Sequence, residues 1–507
     1  MNFVRRWGAY LVLLPVVLGS WITAWGIALA TAQQTSAAAG PGEETSLVLT
    51  GDVTGQQNKT YFEVPFTVPA GVHRISVDFQ YTGKDQRATL DLGIEDPERL
   101  RGESGGNKSH FTISETDATP SYLPGAIPAG QWRLLIAVPN MRPNVVAHYR
   151  ADIRFNGRTE DASFTLQPLA TGTRWYRGDL HMHTAQSDGS CQNQSGHKVP
   201  CPLFLTVQAA AARSLDFIAV TDHNTDSHYN ELRELQPFYD HLLLIPGREM
   251  TTFHGHFNVW GVTQFMDWRV SQGGLDLNTV LRDARAKGGI ASVNHAEAPE
   301  GEQCMGCRWM PAADADMGLF SAVEVINYGE IMFSSAKYWD SQLRAGHRLA
   351  AVGGSDNHNA TIPPGGVSAI GWPTTAVEAD ELSVPAILNG IRAGRTFVDL
   401  TASRDKMVDF EAEANGVSAK MGGTLQVAPG AELQVHIQTI AAKGSTLHLL
   451  MDGEESSAHP PLPAEGSTAN ATLTTGEGRH WLRVEVHDPS GANELMSSPL
   501  YINFPTE

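Results

Sequence analysis

Between about residues 174 and 400, short apolar segments recur, and each of them ends in polar residues. The segments are LDFIAVTDH, HLLLIPGREM, FNVWGV, GGIASVNH, AVEVINY and RLAAVGGSDNH. Stretches of helical character lie between them, such as LFLTVQAAAARS, LDLNTVLRDARAKG and SSAKYWDSQLRAGH. Alternating strands and helices are typical of a parallel α/β barrel, whose chemistry gathers at the C-terminal ends of its strands. The pattern therefore predicts an α/β fold with a site at the strand ends.

The strand ends are rich in residue types that bind divalent metals. In GDLHMHTAQSDGS, His181 and His183 are two residues apart, so an extended backbone would point both imidazoles to one place. Imidazole suits Zn²⁺, Mn²⁺ and Fe²⁺, but this motif alone is a weak signal. Five strand ends together supply His181, His183 and Asp188, then Asp222 and His223, then Glu249 and His256, then His295, and finally Asp356 and His358. So many coincident ligand types predict a metal centre.

The segments on either side of this region have an all-β pattern. YFEVPFTVPAGVHRISVDFQY alternates apolar and polar residues around a turn, and ELQVHIQTIA and HWLRVEVHD do so after residue 405. We therefore predict an N-terminal β-sandwich or jelly-roll domain over 44–168, an α/β domain over 172–404 and a C-terminal β domain over 405–507.

The N-terminus has the features of an export signal. Arg5 and Arg6 precede a long apolar stretch, and small residues near Ala32 offer a cleavage site. We predict a signal peptide over 1–32 and a linker over 33–43, with an uncleaved membrane anchor as the alternative because the apolar stretch is long. Pairs at 191 and 201 and at 304 and 307 account for all four cysteines, and two disulfides in an exported protein are expected.

The charge of the chain restricts its partners. Lysine and arginine total 36 against 55 acidic residues, which gives a formal net charge of −19. Such a surface repels nucleic acid and anionic membrane, so we expect neither as a partner. A small-molecule substrate is expected instead, and the sequence leaves the oligomeric state open.

The strand-end motifs resemble those of the PHP (polymerase and histidinol phosphatase) superfamily. The matching pieces are DLHMHTAQSDG, FIAVTDHN, PGREM, the pair NH at 294–295, and GSDNH, in the same order and spacing. The segment from DLGIEDPERL to IPAGQW is similar to the N-terminal β domain of the CehA/McbA-like branch. The resemblance implies a distorted (β/α)7 barrel, flanked here by the two β domains, with two or three divalent ions of manganese, iron or zinc.

The resemblance also implies a role for each ligand. Glu249 would bridge the first and second metals, and His256 is favoured over His254 as a ligand by the pattern G-H-x-N. The implied sets are His181, His183, Glu249 and Asp356 for the first metal, Glu249, His256 and His295 for the second, and Asp188, His223 and His358 for the third.

An exported hydrolase that uses metal-activated hydroxide follows from this resemblance. Asp356 would accept the proton of the attacking water, and His223 or His358 would protonate the leaving group. The superfamily implies a phosphomonoester or phosphodiester as substrate. The nearer branch includes a carbaryl hydrolase, so a carbamate or carboxyl ester is the alternative. A non-catalytic metal-containing binding protein is the alternative of another class.

Several neighbours of the ligands have two interpretations. Asp222 is expected to orient His223 or to cap its loop rather than to bind metal. Glu324 and Asn327 would either contact ligands or be purely structural. Arg177 and Arg248 would either meet an anionic substrate or, as we prefer, form surface ion pairs.

Overall fold

A computed structural model describes residues 35–36, 45–155, 163–302, 304, 306–328, 332–456, 461–464 and 468–505. The predicted signal peptide lies outside the described residues, as does all but residues 35–36 of the predicted linker. Within the described ranges, no helix is both long and apolar enough to span a membrane.

The N-terminal part consists of two antiparallel sheets that share one apolar core. One sheet has the strand order β1-β2-β9-β4-β7 and the other β3-β8-β5-β6. These strands are β1 (Thr35–Ser36), β2 (Thr45–Thr54), β3 (Tyr61–Val68), β4 (Arg74–Tyr81), β5 (Thr89–Glu95), β6 (Leu100–Glu103), β7 (His110–Ser114), β8 (Gly130–Asn140) and β9 (Val146–Phe155). The predicted all-β pattern is confirmed here, whereas the domain boundaries stay predictions.

The central part mixes strands and helices, and every strand and helix named in the sequence analysis is present. The strands are β10 (Thr171–Asp179), β11 (Ser190–Gln192), β12 (Lys198–Pro200), β13 (Phe217–Val220), β14 (Leu243–Thr252), β15 (Gly255–Trp260), β16 (Ile290–Val293), β17 (Ala322–Tyr328), β18 (Met332–Ser334), β19 (Ala350–Gly354), β20 (Thr374–Glu381) and β21 (Thr396–Asp399). The helices are α1 (Leu203–Ala212), α2 (Tyr229–Leu235), α3 (Leu277–Ala286), α4 (Ala336–Ala345) and α5 (Val384–Arg392).

These strands pair in both parallel and antiparallel directions. β10, β13 and β14 pair in parallel, as do β16, β17 and β19, and a parallel bridge joins Met182 to Asn357. β14 and β15 instead form an antiparallel hairpin, because the pairing of Thr252 with Gly255 leaves only two residues for the turn and no room for a helix. The α/β class is confirmed, and the (β/α)7 barrel stays a prediction.

The C-terminal part is again built from strands. A four-stranded sheet has the order β23-β22-β25-β29, and it shares a core with strands that continue the large central sheet, to which β31 joins by pairing with β21. These strands are β22 (Met407–Ala414), β23 (Val417–Lys420), β24 (Thr424–Leu425), β25 (Glu432–Ile440), β26 (Thr446–Met451), β27 (Glu454–Glu455), β28 (Leu462–Pro463), β29 (Thr468–Thr474), β30 (His480–His487), β31 (Asn493–Ser497) and β32 (Leu500–Ile502).

A buried cluster of charges joins the N-terminal sheets to the central part. Asp117 is fully buried, and its Oδ1 and Oδ2 accept hydrogen bonds from Arg74 of β4 at 2.8 and 3.1 Å. Arg233 of α2 contacts the same carboxylate. Burial alone would raise the pKa of Asp117, but the two guanidinium groups hold it well below its usual range.

Replacing Asp117 by Asn should destabilise the fold strongly. The substitution leaves two buried guanidinium groups without their counter-charge, so we expect the free energy of unfolding to fall by about 3–5 kcal/mol. Urea denaturation near neutral pH measures this change. The control is Asp152→Asn, whose partner Arg150 is half exposed, and here we expect a much smaller loss. Equal losses in the two variants would contradict the analysis.

Candidate metal centre

Glu249 of β14 lies at the centre of the site, buried to 1% exposure. Its carboxylate is surrounded by five imidazole groups that come from different parts of the chain. Oε1 lies 3.4 Å from His181 Nε2, 3.3 Å from His256 Nδ1 and 3.3 Å from His295 Nε2, and Oε2 lies 2.8 Å from His223 Nδ1 and 3.6 Å from His183 Nε2.

Local backbone structure explains how two pairs of side chains come together, His181 with His183 and Glu249 with His256. His181 and His183 follow the last residue of β10 on either side of Met182, which makes the bridge to Asn357 and packs into the core. In the β14–β15 hairpin, His256 is the cross-strand partner of Thr251, two residues after Glu249. Because residues two apart on a strand share a face, the hairpin brings His256 beside Glu249.

Asp356 is the second carboxylate of the centre. Its Oδ1 lies 3.0 Å from His183 Nε2 and 3.3 Å from His181 Nε2. Its φ of 47° lies in the left-handed region, which residues other than glycine rarely adopt. The Ser368 hydroxyl donates to the Asp356 carbonyl at 3.1 Å, and this bond helps to hold the strained backbone.

A third set of ligand types lies nearer the surface. Asp188 Oδ1 is 3.3 Å from His358 Nε2 and 3.7 Å from His223 Nε2. The ring of His183 stacks between those of His223 and His358, with centroids 4.3 and 4.1 Å away. The Ser190 N–H donates to the His358 carbonyl at 2.6 Å, so the loop that carries Asp188 is tied to the loop that carries His358.

The structure thus brings all nine predicted ligands together. Their donor atoms form four groups within which all atoms lie within 4.8 Å of one another. The groups are His181, His183 and Glu249; His181, His295 and Asp356; Glu249, His256 and His295; and His183, Asp188, His223 and His358. The implied second set forms one group, the implied third set groups together with His183, and the implied first set is divided between the other two groups. Which atoms bind which ion stays a prediction.

The position of His181 Nε2 fits a metal ion. This atom is buried without a hydrogen-bond partner, although Glu249 Oε1 and Asp356 Oδ1 lie 3.4 and 3.3 Å from it. Buried polar atoms are nearly always paired, so an unpaired imidazole nitrogen between two carboxylates needs an explanation. A tetrahedral ion with bonds of about 2.1 Å holds its ligand atoms about 3.4 Å apart, close to the separations of His181 Nε2 from the two carboxylates.

Glu324 and Asn327 contact the ligands, which decides between their two interpretations. Glu324 Oε1 lies 2.9 Å from His181 Nδ1, and its Oε2 accepts hydrogen bonds from the His295 N–H at 2.9 Å and from Asn327 Nδ2 at 3.0 Å. Asn327 Nδ2 also donates to Asp356 Oδ2 at 3.3 Å. A carboxylate on one nitrogen of an imidazole fixes the ring and leaves the other nitrogen free for a metal.

The electrostatics of the metal-free site are dominated by burial and by these mutual contacts. Burial alone would raise the pKa of Glu249, but His181 and His223 hold it well below its usual range. Burial, together with the charges of His358 and His223, lowers the pKa of His183 to about 4. Burial would likewise lower the pKa of His358, but its hydrogen bond to Asp188 raises that pKa to about 9.

Three other predicted residues lie away from the metal groups. His254 is exposed, with Nε2 3.3 Å from Ser271 Oγ, so the structure brings His256 and not His254 into the centre. Arg177 pairs with Asp399 at 3.1 Å, and Arg248 donates to main-chain carbonyls and lies 3.6 Å from Asp226. Both arginines form ion pairs as preferred, but the expectation of a surface location was wrong because both side chains are buried.

One of the two expected disulfides is present. Cys304 and Cys307 are bonded, with their Cα atoms 5.5 Å apart. Cys191 and Cys201 are both buried and are free thiols, so the expected second disulfide is absent from the structure. Burial, with a hydrogen bond from the Cys201 thiol to Cys191, raises the pKa of Cys201 to about 12, which keeps that thiol protonated.

Two aspartates support the loops that carry the ligands. Asp222 accepts hydrogen bonds from the Thr184 N–H and hydroxyl, both at 2.7 Å, so it caps the loop that leads to Asp188. Asp179, which the sequence analysis did not identify, accepts from the N–H groups of His181, Ser355 and Gly371 at 3.2, 3.1 and 2.7 Å. Its place in the stretch GDLHMH, two residues before His181, is the only sequence signal for this role.

No protein-family model matches the chain, and no curated protein matches it. A two-domain protein from Bacteroides vulgatus, which contains a predicted PHP-like metal-dependent phosphoesterase, is similar over 68% of this chain and 99% of its own, with 18% identity and a TM-score of 0.36. Aeromonas hydrophila PliG, a periplasmic inhibitor of g-type lysozyme, is similar over 24% of this chain and 93% of its own, with 12% identity and a TM-score of 0.16. With TM-scores this low, the assignment of the site rests on the contacts described above.

Metal binding should release protons at neutral pH. His358, whose pKa is raised to about 9, is protonated in the metal-free protein, and a metal ligand must be a neutral imidazole. We expect Mn²⁺ binding at about pH 7.5 to release a proton from His358, and the release to decline as the pH rises through about 9. Calorimetric titration in Hepes and in Tris measures the release, because the two buffers differ in ionisation enthalpy.

The matched control for this measurement is Asp188→Asn, which removes the carboxylate that raises the pKa of His358. This variant should release fewer protons at the same pH. Heats of binding that do not depend on the buffer in the unaltered protein would contradict the prediction.

Proposed function

We propose that the protein is an exported metal-dependent hydrolase that cleaves ester bonds, with a phosphomonoester or phosphodiester as its substrate. The observation that carries the proposal is the clustering of imidazole and carboxylate donor atoms around Glu249 and His181, among them the buried, unpaired His181 Nε2. The four groups of donor atoms would hold two or three divalent ions of manganese, iron or zinc. Bound there, such ions supply Lewis acidity that activates water and polarises the ester.

The residues of the chain then divide the work of proton transfer. Burial would raise the pKa of Asp356, but His181 and His183 hold it well below its usual range, so its carboxylate stays ionised and able to accept a proton from water. His223 and His358 have side chains that are 26% and 39% exposed, more than the other ligand imidazoles. They therefore face the side from which a substrate enters, and either one would deliver a proton to the leaving group.

One observation favours a carbamate or carboxyl ester as the second candidate substrate. Recognition of a phosphate commonly uses arginine, yet Arg177 and Arg248 are both engaged in buried ion pairs away from the metal groups. The turn between Glu249 and His256 instead presents Phe253, which is 90% exposed. An exposed aromatic side chain on the turn between two predicted ligands suits a neutral substrate with an apolar leaving group.

Export is supported by the N-terminal sequence and by the cysteines. Arg5 and Arg6 followed by an apolar stretch are typical of a signal peptide, and the bond between Cys304 and Cys307 is typical of an oxidising compartment. Expressed in full in a Gram-negative bacterium, the protein should be recovered from the periplasm with a new N-terminus near residue 33. A membrane-bound chain that still begins at residue 1 would indicate the anchor instead.

The hydrolase proposal is tested on the chain lacking residues 1–32. The purified protein is stripped with a chelator and reconstituted with Mn²⁺, Fe²⁺ or Zn²⁺, and bound metal is counted by elemental analysis. Activity is measured with p-nitrophenyl phosphate, bis-p-nitrophenyl phosphate and 1-naphthyl N-methylcarbamate. We expect two or three ions per chain and turnover of at least one ester, with the preferred one identifying the ester class.

Variants test whether activity depends on the predicted ligands and not on nearby residues. His181→Ala and Asp356→Ala each remove a predicted ligand, and we expect kcat/KM to fall at least about 100-fold, since even residues that only orient ligands cost 10- to 100-fold. His254→Ala is the control, because this exposed histidine lies two residues from His256 but outside the metal groups. A folded protein that binds no metal and cleaves none of the three esters would overturn the proposal and favour a non-catalytic binding protein.

A further inference from the structure

We propose that a second site, separate from the metal groups, binds a small organic anion in a cavity lined by Arg177, Arg213 and Arg404. The cavity has a volume of about 260 Å³. It lies between the loop that leads into β20 and the loop that follows β21. None of its lining residues belongs to a metal group, so the site is distinct from the candidate centre.

The three arginines are held by different contacts. Arg177 is buried, and its Nη1 donates to Asp399 Oδ2 at 3.1 Å and to the Ser403 carbonyl at 3.0 Å. Arg213 Nη2 donates to the Ile362 carbonyl at 2.6 Å, and its Nη1 contacts a second main-chain carbonyl. Arg404 is exposed and lies close enough to Arg177 for their charges to repel. The cavity wall therefore contains two guanidinium groups held by hydrogen bonds, those of Arg177 and Arg213, and the exposed side chain of Arg404.

Three guanidinium groups line this cavity, and no aspartate or glutamate is among its lining residues. Asp399 is the carboxylate that contacts Arg177, and neutral carbonyl groups contact Arg213. Asp216 lies near Arg177 as well, but its Oδ1 faces Arg174 at 3.4 Å outside the cavity. Asp179 is fully buried, binds the Gly371 N–H and attracts the Arg213 charge, but it does not line the cavity. An oxyanion in the cavity would face the three guanidinium groups and accept hydrogen bonds from them.

Much of the rest of the cavity wall is apolar. Trp372, Leu215 and Ile370 line it, and the indole of Trp372 is fixed by a hydrogen bond to the Leu400 carbonyl and by stacking on Tyr328 at 4.9 Å between ring centroids. A rigid aromatic wall next to arginines suits a ligand with an apolar, flat body and an anionic head. The ligand class is therefore an aromatic or similarly flat phosphonate, phosphate or carboxylate.

The test uses the full chain, stripped of metal with a chelator so that metal ions bound at the metal groups cannot themselves bind the anions. Phenylphosphonate, benzoate and inorganic phosphate are titrated in a calorimeter. We expect saturable binding of phenylphosphonate or benzoate, and binding of inorganic phosphate about tenfold weaker because it lacks an apolar body. The preference between the first two identifies the head group.

Two variants place the binding in this cavity. Arg404→Ala removes an exposed cation and should leave the fold intact while weakening binding about tenfold, and Arg213→Gln should weaken it similarly. Arg142→Ala, an exposed arginine of the N-terminal part, is the matched control and should bind as the unaltered chain does. No saturable binding of either organic anion, or equal affinity in the Arg404→Ala variant and the unaltered chain, would overturn the proposal. Neither result depends on whether the metal centre is a hydrolase.

Discussion

The central constraint on this molecule is the burial of one charge, that of Glu249. An isolated carboxylate in the interior of a protein is so unfavourable that it must be neutralised or surrounded by cations. Here five imidazoles converge on it from the end of β10, from β15 and from the loops after β13 and β16. Strands β10, β13 and β16 end at the same edge of the central sheet, so the histidines that follow them lie close together. The β14–β15 hairpin adds His256 beside Glu249.

Much of this arrangement follows from sequence because it depends on local rules. Apolar segments predicted the strands, and ligand-type residues at or near the strand ends predicted all nine side chains that the structure brings together. The contact between Glu324 and His181 could not be derived in this way, since the two residues are 143 positions apart and their pairing depends on the order of strands in the sheet. The β14–β15 hairpin escaped prediction for another reason. Its two-residue turn contains no proline, and its sequence cannot be distinguished from an ordinary loop at the end of a strand.

Arg177 and Arg248 show that a residue close in sequence to a metal ligand need not lie close to the metal groups in space. Arg248 is adjacent to Glu249, but successive side chains on a strand point to opposite faces, so its guanidinium lies away from the metal groups. Arg177 lies four residues before His181, so strict alternation along a strand would place both side chains on one face. However, β10 ends at Asp179, between the two residues, and Arg177 pairs with Asp399 instead of contacting the metal groups. A surface location was expected for both because arginine is seldom buried without a partner. In each case carboxylate and carbonyl partners from distant segments make burial tolerable, and such partners are invisible in a single sequence.

The ladder between β21 and β31 has a further consequence for how the chain loses structure. Through it the C-terminal strands and the strands around the metal groups belong to one hydrogen-bonded sheet, whereas among the described residues the N-terminal sheets share no strand with it. Opening of the C-terminal part would therefore break main-chain bonds of the central part, and the two would open together as one cooperative unit. The N-terminal sheets are held to this unit by side chains and not by strand pairing, through the buried contact of Asp117 with Arg233.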